Sequence, residues 1–345
     1  MYRKFIGIAV VAGIAVAGSA AEARDQIRVV GSSTVYPFAT VVAEQFGKTS
    51  QFKTPVIEST GSGGGLKLFC SGVGVEHPDI TNASRRIKQS EIDKCAKNGV
   101  NDIIEIKVGY DGIVLANAKT APVMNITKQQ IFLALAKNIP DGKGGLKEND
   151  NMKWSDIDPS LPVSKIEVLG PPPTSGTRDA FAELALEGGC KTFKKIKAIK
   201  KTDKKKYKAV CHGVREDGGY VEAGENDVLI VRKLEANPAA FGVFGFSFLD
   251  QNADKVQGSL IENVGPTFDA IAVGSYPVSR SLYFYVKVAH VGKVPGIKEF
   301  VSTFTSEQMS GPDGVLSERG LIPMPDAERT KFRKDAEMMS NNITM

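Results

Sequence analysis

Apolar positions along this chain follow two rhythms, a short β-branched run and then a helical stripe, and that order recurs three times. The stretch IRVVGSSTVYPFATVVAEQFG passes from a strand through a Gly-Ser-Ser-Thr turn into a helix, with Pro37 in its first turn and Gly47 after its end. In TPVIESTGSGGGLKLFC, Val56 and Ile57 mark a strand and Gly61 to Gly65 lead into a short helix. In SKIEVLGPPPTSGTRDAFAELALEGG, Phe181, Leu184 and Ala185 form the helical stripe and Gly188-Gly189 the stop. Repeated strand, turn and helix units predict an α/β architecture with mainly parallel strands, in which ligands sit beyond the carboxyl ends of the strands.

Between and after these units the pattern changes. DGIVLAN (Asp111 to Asn117) reads as a strand, ITKQQIFLALA as an amphipathic helix and MKWSDID as a capped turn, so a second core begins here. AAFGVFGFSFLD and SYPVSRSLYFYVK read as two further strands, the first of them buried. Residues 191–208 hold ten lysines, interrupted by Phe193, Ile196, Ile199 and Tyr207 at roughly helical spacing, and read as a solvated helix face rather than a nucleic-acid or lipid surface.

The first residues belong to none of this. Arg3 and Lys4 precede an apolar run from Phe5 to Ala17, and Ala21-Glu22-Ala23 has the small-x-small form of a cleavage site, so residues 1–23 read as a signal peptide and the mature chain begins near Arg24. That run is shorter than the roughly 20 residues a membrane span needs. Export places the four cysteines in an oxidising compartment, where they pair. The shorter loops favour Cys70 with Cys95 and Cys190 with Cys211. Three scattered histidines (His77, His212, His290) offer no ligand-spaced metal cluster, and no cofactor motif is evident.

The three helix starts carry the chemistry. A helix N-terminus presents unpartnered backbone N–H groups and the positive end of the helix dipole, so it holds an anion without a base or a metal. Gly61 to Gly65 and Gly176 permit close approach, Ser33, Thr34, Ser62, Ser175 and Thr177 add hydroxyl donors, and Arg178 and Arg85 lie nearby. Each hydroxyl alone would read as an N-cap; three such starts point to a tetrahedral oxyanion. GSGGGLK has Leu66 where a phosphate loop needs glycine, and no GxSxG elbow occurs, so nucleotide binding and serine hydrolysis find little support. A phosphatase-like hydrolase and a binder of sulfate or molybdate stand as the alternatives.

In that order after a signal peptide, GSSTVYPF, TGSGGGLKLF, ITNASRRIKQSE, YDGIVLAN, TSGTRDAF and SYPVSRSLYFYVK resemble the periplasmic phosphate-binding proteins of phosphate-specific ABC transporters. The resemblance spans essentially the whole mature chain. It implies a type II periplasmic binding protein fold, two α/β lobes joined by a two-strand hinge, with residues 24–112 and 275–345 in one lobe and 113–274 in the other. It also implies a periplasmic monomer that hands inorganic phosphate to an inner-membrane ABC permease, with no catalytic residue and no nucleic-acid partner. The family's phosphate contacts fall on Thr34, Val35, Ser62, Ser175, Gly176 and Thr177. Pro171 stands where the best-known members have an arginine, and Arg85 where they have an aspartate. Arg178 is therefore expected to carry the main positive charge, with Arg85 as the other candidate, and Asp111 to reject sulfate.

Overall fold

The computed structural model describes residues 24–173, 175–224 and 227–343; the expected signal peptide lies outside them. The first unit runs β1 (Arg28–Gly31), α1 (Tyr36–Thr49), β2 (Val56–Ser59), α2 (Ser62–Phe69) and β3 (Ile80–Ala83), and α3 (Gln89–Lys97) follows. Both β2 and β3 pair with β1 in parallel. Gly31 is required where β1 turns towards α1. Its φ is +132°, and a Cβ there would lie 2.2 Å from the Asn82 carbonyl oxygen.

β4 (Ile103–Ala118) is sixteen residues long and buried along almost its whole length. The elements after it are α4 (Lys128–Leu135), β5 (Val168–Gly170), α5 (Gly176–Phe181), α6 (Lys194–Thr202), α7 (Lys204–His212), β6 (Tyr220–Glu222), α8 (Asp227–Ala236), β7 (Phe241–Gly245), α9 (Phe246–Gln251), β8 (Val256–Gly258) and β9 (Ser279–Lys287). Helices between Ile297 and Met338 close the chain. These strands form one curled sheet in the order β2-β1-β3-β9-β4-β7-β5-β6, with β8 also on β4, and two short two-stranded sheets, Asn125–Ile126 with Leu260–Ile261 and Asn138–Pro140 with Leu146–Glu148, lie apart from it.

β4 changes partners midway. From Ile103 to Gly112 it pairs with β9, and from Ile113 to Ala116 it pairs with β7, both antiparallel. The sheet is therefore mixed rather than mainly parallel: the repeated units supply parallel strands on each side, and the two long strands between them run against their neighbours. Two apolar cores flank this crossover, one around Val29, Phe46, Ile104, Phe284 and Phe300, the other around Val114, Trp154, Phe181, Val243 and Phe244. They define a two-lobed type II periplasmic binding fold.

Three local expectations give way to packing. Gly188 and Gly189 do not stop the helix that begins at Gly176, which passes through a π turn (Ala182–Leu186) and continues to Cys190. A Cβ at Gly189 would lie 2.0 Å from the Lys128 carbonyl oxygen, so the glycine admits the backbone of α4. Gly47 is likewise inside α1, which runs on to Thr49. AAFGVFGFSFLD is strand only to Gly245; Phe246 and Leu249 then bury one helical face.

The disulfides join Cys70 to Cys95 and Cys190 to Cys211. The second closes a satellite core of Phe132, Ile139, Ile196, Tyr207 and Val210 beneath α6 and α7. Loop closure predicts a loss of about 3 kcal/mol when either bridge is removed. Cys190→Ser/Cys211→Ser should therefore melt at a lower temperature. Digestion without reduction should yield the two linked peptide pairs, and a Cys70–Cys190 cross-link would contradict this pairing.

Candidate functional site

A cavity of about 580 Å3 lies where the starts of α1 and α5 face each other. A Cβ at Gly176 would sit 3.6 Å from the Ser33 carbonyl oxygen and 3.8 Å from the Thr34 Cα, so the two turns come within van der Waals reach across the cleft. Ser175 caps α5, its Oγ accepting the Thr177 N–H at 3.2 Å. At α1 the capping residue is Val35, which makes no side-chain cap; Pro37 occupies the first turn, where its missing N–H costs nothing.

Arg319, an exposed residue, lines the cavity directly, and Arg280, at the start of β9, borders it from behind Thr34 and Asp111. The Arg280 Nε donates to Asp111 Oδ2 at 3.2 Å, its Nη1 to Glu183 Oε2 at 2.6 Å and its Nη2 to Thr34 Oγ1 at 2.6 Å. The side chain is only 9% exposed. Arg280 and Asp111 are direct partners in the β9–β4 register, so the ion pair is built into the crossover itself. Thr34 comes from the turn before α1 and Glu183 from the helix that starts at Gly176, so one guanidinium ties both faces of the cleft to the strands between them. Burial pushes the Asp111 carboxyl above the usual carboxylate range, with the Arg280 charge opposing.

The structure brings six of the expected residues together around the cavity: Ser33, Thr34, Asp111, Ser175, Gly176 and Thr177. Val35 is fully buried at the base of α1. Ser62 instead meets Ser84, accepting its N–H at 3.0 Å, with the two hydroxyl oxygens also 3.0 Å apart. Neither expected arginine lines the cavity. The Arg178 Nη1 donates to the Pro171 carbonyl at 3.1 Å, and its guanidinium lies 4.3 Å from the centre of the Tyr220 ring. Arg85 is clamped to both carboxylate oxygens of Glu91 at 2.9 and 2.7 Å. Sequence reasoning missed Arg280 although a signal was present. In SRSLYFYVK it shares the parity of Leu282, Phe284 and Val286, all buried, and a charged residue on the inward side of a strand needs a partner.

Such a cleft, with an enclosed guanidinium beside the crossover of the sheet and two helix starts opposed across it, has the form of the ligand site of a solute-binding protein. The profile of the PBP superfamily domain matches residues 17–308, and the chain belongs to that superfamily. It is 31% identical to Protein SphX of Synechococcus elongatus over 302 residues, 86% of this chain and 76% of that protein. It is 27% identical to the phosphate-binding protein PstS of Staphylococcus saprophyticus, over 87% of this chain and 81% of that one. Among solved structures it matches a possible phosphate binding protein from Planctomyces limnophilus at 25% identity, with a TM-score of 0.71, covering 92% of this chain and 99% of the other.

Besides Asp111, the acids Asp227 and Glu318 line the cavity. Burial pushes the Asp227 carboxyl up to about 6. The folded chain thus holds this proton more tightly than the unfolded chain, where an aspartate titrates near 4. The associated stability is complete below about pH 4 and is lost as pH rises towards 6. Asp227→Asn should leave stability nearly unchanged near pH 4 and raise it by about 3 kcal/mol above pH 7, as read by urea unfolding at both pH values. A gain that does not vary with pH would contradict this.

Proposed function

We propose that this chain captures inorganic phosphate between its lobes and delivers it to an ABC permease. The observation that carries the reading is Arg280, fixed at the crossover by Asp111 and aimed at the turn before α1. A buried oxyanion is costly to desolvate unless charge and donors meet it. Here the guanidinium of Arg280 behind Thr34, that of Arg319 at the cavity wall, the hydroxyls of Ser33, Thr34, Ser175 and Thr177, and two helix starts supply them. The names borne by the relatives support phosphate over sulfate or molybdate.

We assign the positive charge expected of Arg178 or Arg85 to Arg280, and we place the lobe boundary where β4 changes partners. Residues 24–112 and 275–345 then form one lobe and 113–274 the other. Only the strands between them need flex, and phosphate selects the closed arrangement through contacts from both sides. No histidine lines the cavity among the described residues, so Ser33 and Ser175 have no imidazole there to activate them, and the reading is of a binder without hydrolytic activity. Export through residues 1–23 to the periplasm, and a monomeric form with no nucleic-acid partner, complete it.

Calorimetry should find one phosphate per chain, with no turnover of an aryl phosphate. Arg280→Ala should weaken binding by roughly 2–5 kcal/mol, as expected when a buried charged partner is truncated, while Arg178→Ala leaves it nearly unchanged. Arg280→Lys, which retains a charge, reports whether the crossover still folds. The reverse ranking of the two alanine variants would return the role to Arg178.

Asp111 supplies selectivity. Phosphate near neutral pH keeps a proton to donate and sulfate keeps none, so a carboxylate facing the anion accepts from one and repels the other. Asp111→Asn should narrow the phosphate-to-sulfate affinity ratio by an order of magnitude or more. A ratio as wide as the parent's would assign the discrimination to another group.

A further inference from the structure

The lysine-rich segment is not absorbed by the anion site. Residues 191–208 carry ten lysines and one aspartate, a local charge of +9, whereas the whole chain carries +5. Everything else therefore sums to −4 (5 − 9), and one small surface reverses the sign of the molecule. All ten lysines are exposed, because Ile196 and Tyr207 turn inward onto the satellite core closed by Cys190–Cys211. Only Lys200 among them has an ion-pair partner among the described residues, Glu187 at 2.8 Å.

This arrangement works against its own helices. α6 opens on Lys194 and Lys195 and α7 on Lys204, Lys205 and Lys206, and neither has an acid in its first turn. Cations at a helix start oppose the dipole, and lysines three and four apart repel. Asp203 caps α7, accepting the Lys206 N–H at 2.9 Å, and Lys200 and Lys201 sit where the dipole of α6 favours them, but the lysines at the two helix starts remain unfavourable to their own helices and fit a surface matched to an anionic partner.

The chemistry narrows the partner. The segment has no arginine, so bidentate phosphate clamping is missing, and of its two aromatics Tyr207 is buried while Phe193 is half-buried among apolar side chains. Beside the lysines lies a recess of about 520 Å3, floored by Pro140, Leu146, Phe193, Ile196 and Ile199 and rimmed by Lys194, Lys195 and Lys206. A soluble polyanion would use the lysines and leave that apolar floor idle; an anionic phospholipid would use both. No helix among the described residues is long and apolar enough to cross a membrane. We propose that the α6–α7 face docks peripherally on a bilayer surface rich in anionic phospholipid, independently of the anion held in the cleft.

The test is co-sedimentation of the chain from Arg24 onward with vesicles of phosphatidylcholine alone or mixed with phosphatidylglycerol. Binding to the mixed vesicles should exceed binding to the neutral ones by roughly tenfold or more, and should fall away at about 0.5 M salt. Lys194→Gln/Lys195→Gln/Lys205→Gln/Lys206→Gln should lose most of that preference while keeping the parent's melting temperature and phosphate titration, which shows the fold intact. Equal partition into both vesicles, or undiminished binding by the glutamine variant, would overturn the proposal. So would capture by soluble polyphosphate without vesicle binding, since that outcome would assign the face to a polyanion.

Discussion

The cleft is organised by a single buried guanidinium. A charge as enclosed as Arg280 must be matched by opposite charge and by acceptors for its N–H groups, or the fold would not tolerate it. Asp111 meets the first need from the adjoining strand, in direct register, so the pair forms when β4 and β9 form. Thr34 and Glu183 take the remaining N–H directions from the two sides of the cleft. The geometry of the helix starts therefore follows from a sheet contact made far from them in sequence.

That dependence also explains how much of the molecule could be read from its residues. The strand, turn and helix units at β1–α1, β2–α2 and β5–α5 were legible because each is written locally, in apolar periodicity and glycine-hydroxyl turns. Ser33, Thr34, Ser175, Gly176 and Thr177 were legible for the same reason. Arg280 was not, because its role arises from pairing with a residue 169 positions away, and neither strand announces its register. Arg178 misled because nearness along the chain resembles nearness in space. The Pro171 carbonyl and the Tyr220 ring, brought beside it by the β5–β6 pairing, take its guanidinium instead. Gly188-Gly189 misled in a similar way: a stop signal and a close helix crossing use the same residue, and only the position of α4 distinguishes them.

The long strand β4 reconciles rigidity with motion. It is continuous through the change of partners, and Ile113 keeps a backbone bond to the Val278 carbonyl where the partner strand begins. A flexing there redistributes hydrogen bonds within a pair of strands rather than breaking a core, since the two apolar clusters lie on either side of it. The Asp111–Arg280 ion pair lies at this change of partners, one residue from Gly112, so in the proposed reading it would sit beside the pivot. Anion recognition and lobe movement can thus share one place without the second disturbing the first.

The charges around Arg280 then separate into fixed and exchangeable parts. One guanidinium faces two carboxylates, so the cluster carries no net attraction for an anion until one acid yields. Asp111 is 16% exposed and held by the strand register, so returning it to water would require opening the crossover. Glu183 is 47% exposed and reaches Arg280 from the rim, so its departure costs little desolvation. In the proposed reading an oxyanion replaces Glu183 on the Nη1 side of the guanidinium, exchanging one anionic acceptor for another while Asp111 stays. The ligand must then lie against an acid that cannot leave, and only an oxyanion that brings its own proton turns that contact from repulsion into a hydrogen bond.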